Sequence, residues 1–137
     1  MDHLFAYGSL MCDDIMRHVS GLQLSGARGT LSGYRRFCLN GEDYPAMVPV
    51  ADGRVRGVVY AGVDRTAWDR LDRFEGEMYA RRIVTVRLDD GRALDAATYI
   101  LQPQFQDRLG DAEWDYDAFL RDGKARFLRQ YAGYRAL

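Results

Sequence analysis

The sequence predicts an α+β domain built on a mixed sheet or barrel, and three observations predict it. Most of the chain reads as strand-like pieces punctuated by glycine. Helical periodicity appears only near the start, the middle and the end. Strand and helix do not alternate in the sustained way a doubly wound sheet requires. The 137 residues, 47% of them hydrophobic, make one domain's worth of chain over 1–137, able to bury a core without crosslinks.

Taken in order, His3 to Tyr7 reads as a short strand running into a turn at Gly8-Ser9. Asp13 and Asp14 follow as caps for a short helix through Val19, stopped at Ser20-Gly21. Four strand-like pieces come next: Leu24 to Leu31, Tyr34 to Leu39, Ala46 to Val50 and Arg54 to Ala61. Pro45 and Pro49 mark the third as an edge or irregular strand. Asp52-Gly53 reads as a tight turn between the third and fourth. Asp64 is an N-cap candidate for a helix that places Trp68, Leu71 and Phe74 on one face, with Gly76 as its stop. Tyr79 to Leu88 alternates as a half-buried strand, Asp90-Gly91 signals a hairpin, and Arg92 to Leu101 pairs back. Gln102 to Glu113 is polar and reads as a functional loop or lid. A last helix is expected from about Asp115 to Tyr131, with Phe119, Phe127, Leu128 and Tyr131 as its buried stripe.

The charge balance narrows the function classes. Nineteen basic residues stand against twenty acidic ones, and the arginines are scattered, so the basic stripe of a nucleic-acid binder is missing. Met1-Asp2-His3 carries an acid where a secretory leader carries bases, and no apolar run reaches membrane-spanning length. Cys12 and Cys38 are read as reduced thiols. The expectation is a soluble cytoplasmic protein with no nucleic-acid or membrane partner. His3 and His18 lack partners at metal-ligand spacing, so no metal site is expected. No nucleophile elbow surrounds Ser9 and no phosphate-binding loop is present.

Two local features can carry chemistry. In Tyr7-Gly8-Ser9-Leu10 a strand runs into a glycine turn just before a helix. Consecutive N–H groups there suit a carboxylate or a developing oxyanion, although the same pattern also serves as a plain turn. Glu75 ends a helix, where a negative charge opposes the helix dipole and where lysine or arginine would be the stabilising choice. Phe74 beside it can desolvate the carboxyl and raise its pKa toward that of a proton shuttle. Asp72 and Glu77 are rival carboxylates on the same stretch, and simple solvation is the alternative for all three.

Phe5-Ala6-Tyr7-Gly8-Ser9-Leu10, then Tyr44-Pro45-Ala46, Gly57-Val58-Val59-Tyr60, and Leu71 to Arg81 with Phe74-Glu75-Gly76 at its centre, occur here in one order. Together they resemble the γ-glutamylcyclotransferase-like family, and most closely its small subgroup named after an avirulence-induced plant protein. The resemblance runs from Phe5 to Tyr99, with an echo in Trp114-Asp115-Tyr116 and the last helix. It implies a small mixed β-barrel with flanking helices. It also implies that the loop Tyr7, Gly8, Ser9, Leu10 holds the γ-glutamyl part of a ligand, that Glu75 is the acid/base, and that Tyr79 and Tyr116 are pocket aromatics. Core packing with a hydrogen-bonded hydroxyl is the other reading for both tyrosines.

The implied reaction is intramolecular. The α-amino group of a γ-glutamyl amine or peptide attacks its own γ-carbonyl, 5-oxoproline forms and an amine leaves, with no cofactor. The competing reading is a binding module on the same barrel, holding a small ligand without turnover. A third is a related amine-releasing lyase. Loops at Gly41 to Tyr44 and Gln102 to Glu113 are expected to read the leaving amine. Oligomeric state leaves no signature in the sequence.

Overall fold

A computed structural model describes residues 1–131. The chain runs β1 (His3–Ala6), a 3-10 turn (Ser9–Met11), α1 (Asp13–Ser20), β2 (Gly26–Leu39), β3 (Pro45–Ala61), α2 (Arg65–Glu75), β4 (Tyr79–Leu88) and β5 (Ala93–Leu101). A second 3-10 turn (Pro103–Arg108), β6 (Leu109–Glu113), α3 (Tyr116–Ala118), a π-helical stretch (Phe119–Gly123) and α4 (Lys124–Gln130) complete it.

The sheet order is β3-β1-β5-β4-β2-β6, and β2 also pairs with β3, so five strands close into a barrel with β6 added outside β2. One pairing is parallel, β1 with β5 at Leu4 and Ala97, and the rest are antiparallel. Closure pairs the strands of the ring with one another and so reduces the free edge that would otherwise template aggregation. Strand β1 is buried on both faces. Phe5 and Tyr7 point into the barrel with Leu31, Met47 and Val86, while Leu4 and Ala6 point out toward the helices with Ile15, Val19 and Leu71. A period of two thus feeds two cores from one strand.

The four central strand pieces are two long strands. β2 and β3 form a continuous ribbon from Gly26↔Tyr60 to Cys38↔Pro45, with a register shift between Ser32 and Tyr34. Asp52-Gly53 is therefore not a turn; both residues lie inside β3. The dipeptide has turn chemistry, but the demand at Gly53 is space: a side chain there would run into the Tyr34 carbonyl oxygen across the irregularity. The pieces with Pro45 and Pro49 pair only with β2, so each proline ring meets a side of the strand that needs no donor.

The helices hold to their predicted places, with differences at the ends. Cys12, not an aspartate, takes the N-cap position of α1, and Asp13 and Asp14 fall in the first turn, where negative charge still suits the dipole. Gly21 stops α1 at φ 77°, and Arg70 of α2 donates to the end carbonyls of His18 (2.8 Å) and Val19 (2.6 Å). Asp64 caps α2 by accepting from the Ala67 N–H at 2.9 Å, and Gly76 ends it at φ 81°. Gln102 to Glu113 is not a loose lid but a 3-10 turn and a strand, because Phe37↔Glu113 and Leu39↔Leu109 pair β6 onto β2. The terminal helix starts at Tyr116 and contains the π stretch. On an uninterrupted helix, residues 119 and 127 would lie about 80° apart; the extra residue in a π turn brings them to within about 20°. Phe119 and Phe127 accordingly share the buried face, edge to face at 5.7 Å. Among the described residues no helix is long and apolar enough to cross a membrane.

Candidate functional site

The loop after β1 is held from its carbonyl side. Arg36 Nη1 donates to the Tyr7 carbonyl at 2.7 Å, and the Tyr60 hydroxyl donates to the Leu10 carbonyl at 2.9 Å. The 3-10 turn uses the N–H groups of Met11, to Gly8 at 3.0 Å, and Cys12, to Ser9 at 3.1 Å. The N–H groups of Gly8, Ser9 and Leu10 precede the first bonded position and meet no backbone acceptor among the described residues. These three residues line a cavity of about 30 Å3. Gly8 itself answers to packing: a Cβ there would sit 2.9 Å from Cδ of Pro45. Glycine lets the loop close onto Pro45, another residue of the cavity wall.

Glu75, the last residue of α2, lines the same cavity. The residue as a whole keeps some surface, but its carboxyl is packed tightly enough to be desolvated. Burial, and then the negative charge of Asp72 one turn earlier, push the Glu75 pKa up to about 8. No donor among the described residues offsets this. At neutral pH the group is mostly a neutral carboxylic acid bordering the cavity. It can give a proton and, at slightly higher pH, take one.

Tyrosine rings line the cavity beside Glu75, and three of their hydroxyls donate to backbone carbonyls. Tyr79 OH reaches the Pro45 carbonyl at 2.8 Å, Tyr7 OH the Tyr99 carbonyl, and Tyr131 OH the Phe74 carbonyl at 2.7 Å. Burial raises the pKa of Tyr7 and Tyr79 well above the ordinary tyrosine value, so both stay protonated donors. Tyr99 OH points the other way, to Asp72 Oδ1 at 2.7 Å, and Arg81 Nη1 approaches the same oxygen at 3.5 Å.

The fold thus brings Tyr7, Gly8, Ser9, Leu10, Glu75 and Tyr79 around one space. It does not bring Tyr116 there: its hydroxyl lies 3.3 Å from Cys12 Sγ, outside the cavity wall. Asp72 is on the exposed side of α2, bound to Tyr99 and Arg81, and Glu77 is exposed beyond the helix end. Neither rival carboxylate faces the cavity. Sequence reasoning missed Tyr99, Tyr131 and Phe127 as wall residues. Tyr99 carried no signal beyond strand alternation, whereas Phe127 and Tyr131 stood in the apolar stripe of the last helix. Among the described residues no three of His, Cys, Asp and Glu gather as a metal ion would need.

The chain matches the family model described as "Gamma-glutamyl cyclotransferase, AIG2-like" over residues 4–117. It is 32% identical to AIG2-like protein D of Arabidopsis thaliana over 131 residues, covering 94% of this chain and 86% of that protein. It is 31% identical to AIG2-like protein A of the same plant, covering 96% and 79%. The structure resembles a solution structure of an Arabidopsis thaliana protein, with a TM-score of 0.72, 30% identity, and 93% and 86% of the two chains covered. It shares its fold with a structure named "Gamma-glutamyl cyclotransferase", with a TM-score of 0.66, 18% identity, and 74% and 66% covered. Matched over its motif loop, its barrel and the helix that carries Glu75, the chain belongs to the AIG2-like γ-glutamyl cyclotransferase family.

Proposed function

We propose that this protein is an enzyme that cyclises a γ-glutamyl amine or peptide to 5-oxoproline and releases the amine, with Glu75 as general acid and base. One observation carries the reading: Glu75, whose buried carboxyl is mostly neutral at neutral pH, lines the same small cavity as Gly8, Ser9 and Leu10, whose N–H groups meet no backbone acceptor among the described residues.

The division of labour follows from the chemistry. The ionised Glu75 takes a proton from the substrate's α-ammonium. The freed nitrogen attacks the γ-carbonyl carbon of the same molecule, the C–N bond to the leaving group breaks as Glu75 returns the proton to the leaving nitrogen, and the second proton lost by the attacking nitrogen follows it, so that a lactam N–H remains and the amine departs as its ammonium. A carboxyl pushed up to about 8 is a far closer match to an amino-acid α-ammonium than an ordinary carboxylate is, which lessens the uphill cost of the first transfer. The N–H groups of Gly8, Ser9 and Leu10 suit the oxyanion or the substrate carboxylate, and the Tyr7 and Tyr79 rings shape the apolar wall. Tyr116, beside Cys12, has no part in this scheme. Nucleophile and electrophile come from one substrate, so no cofactor enters. A cytoplasmic location goes with the proposal, supported by Cys12 and Cys38 being free thiols.

The test is Glu75→Gln against a panel of γ-glutamyl amines and peptides, read as 5-oxoproline release. The expected result is at least a hundredfold loss of kcat with the fold and ligand binding retained. Equal turnover by the variant overturns the assignment of Glu75. Binding without turnover by the wild type identifies a binding module instead.

A further inference from the structure

The inner cavity is small for the job it is given. About 30 Å3 accommodates a few waters at most, since one water needs roughly 10–15 Å3 by this measure. A second pocket of about 270 Å3 adjoins it, walled by Gly41 to Tyr44, Phe127, Gln130 and Tyr131. Tyr44, Phe127 and Tyr131 belong to both walls. These three rings are therefore the partition between the two spaces.

The three are not equally fixed. Phe127 is 2% exposed and is wedged edge-on between Phe74 (6.2 Å) and Phe119 (5.7 Å). Tyr44 sits in the connection between β2 and β3, directly before Pro45, which receives the Tyr79 hydroxyl. Tyr131 follows the last turn of α4 and is half-buried. Its ring stacks on Phe127 at 5.0 Å and meets Tyr44 edge-on at 4.8 Å, and its hydroxyl donates to the carbonyl of Phe74, the residue before Glu75. Of the partition, Tyr131 is the ring that follows the terminal helix rather than a barrel strand, and it also meets Phe74 at 5.2 Å. Removing its side chain takes away one hydrogen bond and these ring contacts and leaves the strands as they are paired.

We propose that Tyr131 is a specificity-determining residue: its ring divides the γ-glutamyl cavity from a leaving-group subsite at residues 41–44 and 130, and selects the leaving amine by size. This rests on the reaction proposed above. The acyl half of the substrate lies beside Glu75 and the residue 8–10 loop. The scissile amide crosses the partition, and the amine half lies in the outer pocket. Of the two acids on that rim, Asp43 is already held by Arg126 at 2.9 Å and Glu42 lies against the Tyr44 hydroxyl, whose pKa it helps to raise.

The experiment compares γ-glutamyl-methylamide with γ-glutamyl-anilide for the wild type, Tyr131→Ala and Tyr131→Phe. The ratio of kcat/KM for the anilide over the methylamide should rise at least tenfold in Tyr131→Ala. It should stay within about twofold of the wild type in Tyr131→Phe, which keeps the ring and loses only the bond to Phe74. A ratio unchanged in Tyr131→Ala, with both substrates slowed in parallel, overturns the partition and leaves the reaction standing. Affinity supplies a readout that needs no turnover: in a Glu75→Gln background, Tyr131→Ala should tighten the anilide relative to the methylamide by the same factor. Turnover of neither amide by the wild type, with this affinity shift present, refutes the reaction and keeps the partition. Failure of both amides to bind any variant overturns both.

Discussion

Glu75 stands where burial, a neighbouring carboxylate and a helix C-terminus all disfavour its charge. The kcat/KM of the proposed enzyme should therefore rise with pH through an inflection near 8, as the base form appears, and that limb should vanish in Glu75→Gln. Asp72→Asn keeps an acceptor for Tyr99 OH but removes the charge. It should move the limb toward acid by on the order of half a unit, since Asp72 is partly solvated and its field is screened. A pH–rate profile of the two proteins side by side decides it, and an unmoved limb means that burial alone sets Glu75. Gly8 makes a different prediction. Gly8→Ala pushes a Cβ to 2.9 Å from the Pro45 ring, and the expected cost is about 1–3 kcal/mol in denaturant unfolding. The same shift displaces the loop N–H groups, so kcat/KM should fall with it.

At the scale of elements, the β2–β3 ribbon and the terminal helix show what local chemistry can and cannot announce. Asp-Gly is the strongest short hairpin signal, yet Asp52-Gly53 continues a strand because Gly53 lies against the Tyr34 carbonyl where the ribbon's register shifts. Gly53→Ala should lower the denaturant midpoint by an amount worth roughly 1–3 kcal/mol at constant m-value. A neutral result means the ribbon can shift to admit the methyl group. The segment Gln102 to Glu113 is polar enough to read as a loop, but Leu109 and Glu113 meet Leu39 and Phe37 of β2, far away in sequence, contacts no local window contains. The π stretch is likewise a tertiary decision. Phe119 and Phe127 must both reach the core under α2, and one extra residue in the turn rotates them into line.

For the whole molecule, the buried carboxyl couples function to stability. The folded-state pKa of Glu75, about 8, lies above its unfolded value near 4.3, so the native state holds one more proton between those limits. Its contribution is fully present below pH 4 and is lost as pH rises through 8. Relative to Glu75→Gln, the wild type should lose stability on going from pH 5.5 to 7.5 with a slope approaching about 1.4 kcal/mol per pH unit. Chemical denaturation at four pH values measures it, and parallel curves for the two proteins would show that the carboxyl is not buried as described. Stability withheld at the working pH is the cost of keeping a titratable group out of water, as expected at a functional site.

What the sequence by itself determined is the part governed by short-range rules. Alternating apolar residues announced β4 and β5, Asp64 and Gly76 bounded α2, and the order of two ordinary motifs pointed to Glu75 and the Gly8 loop together. What only the tertiary structure decided is which of three nearby carboxylates faces a cavity, and which tyrosines face it too. Asp72, Glu75 and Glu77 lie within six residues of one another and look alike in the chain. They part company because α2 packs Phe74 inward against Phe127 and Tyr131, turning Glu75 toward the space beneath β1 while Asp72 stays on the solvent side with Arg81. Tyr116 stood beside the family pattern, yet the terminal helix carries it to Cys12 and delivers Tyr131 to the cavity in its place. Burial is a property of the closed barrel and its covering helices, and it arises from contacts between residues as far apart as Tyr7 and Tyr99, which no stretch of sequence holds side by side.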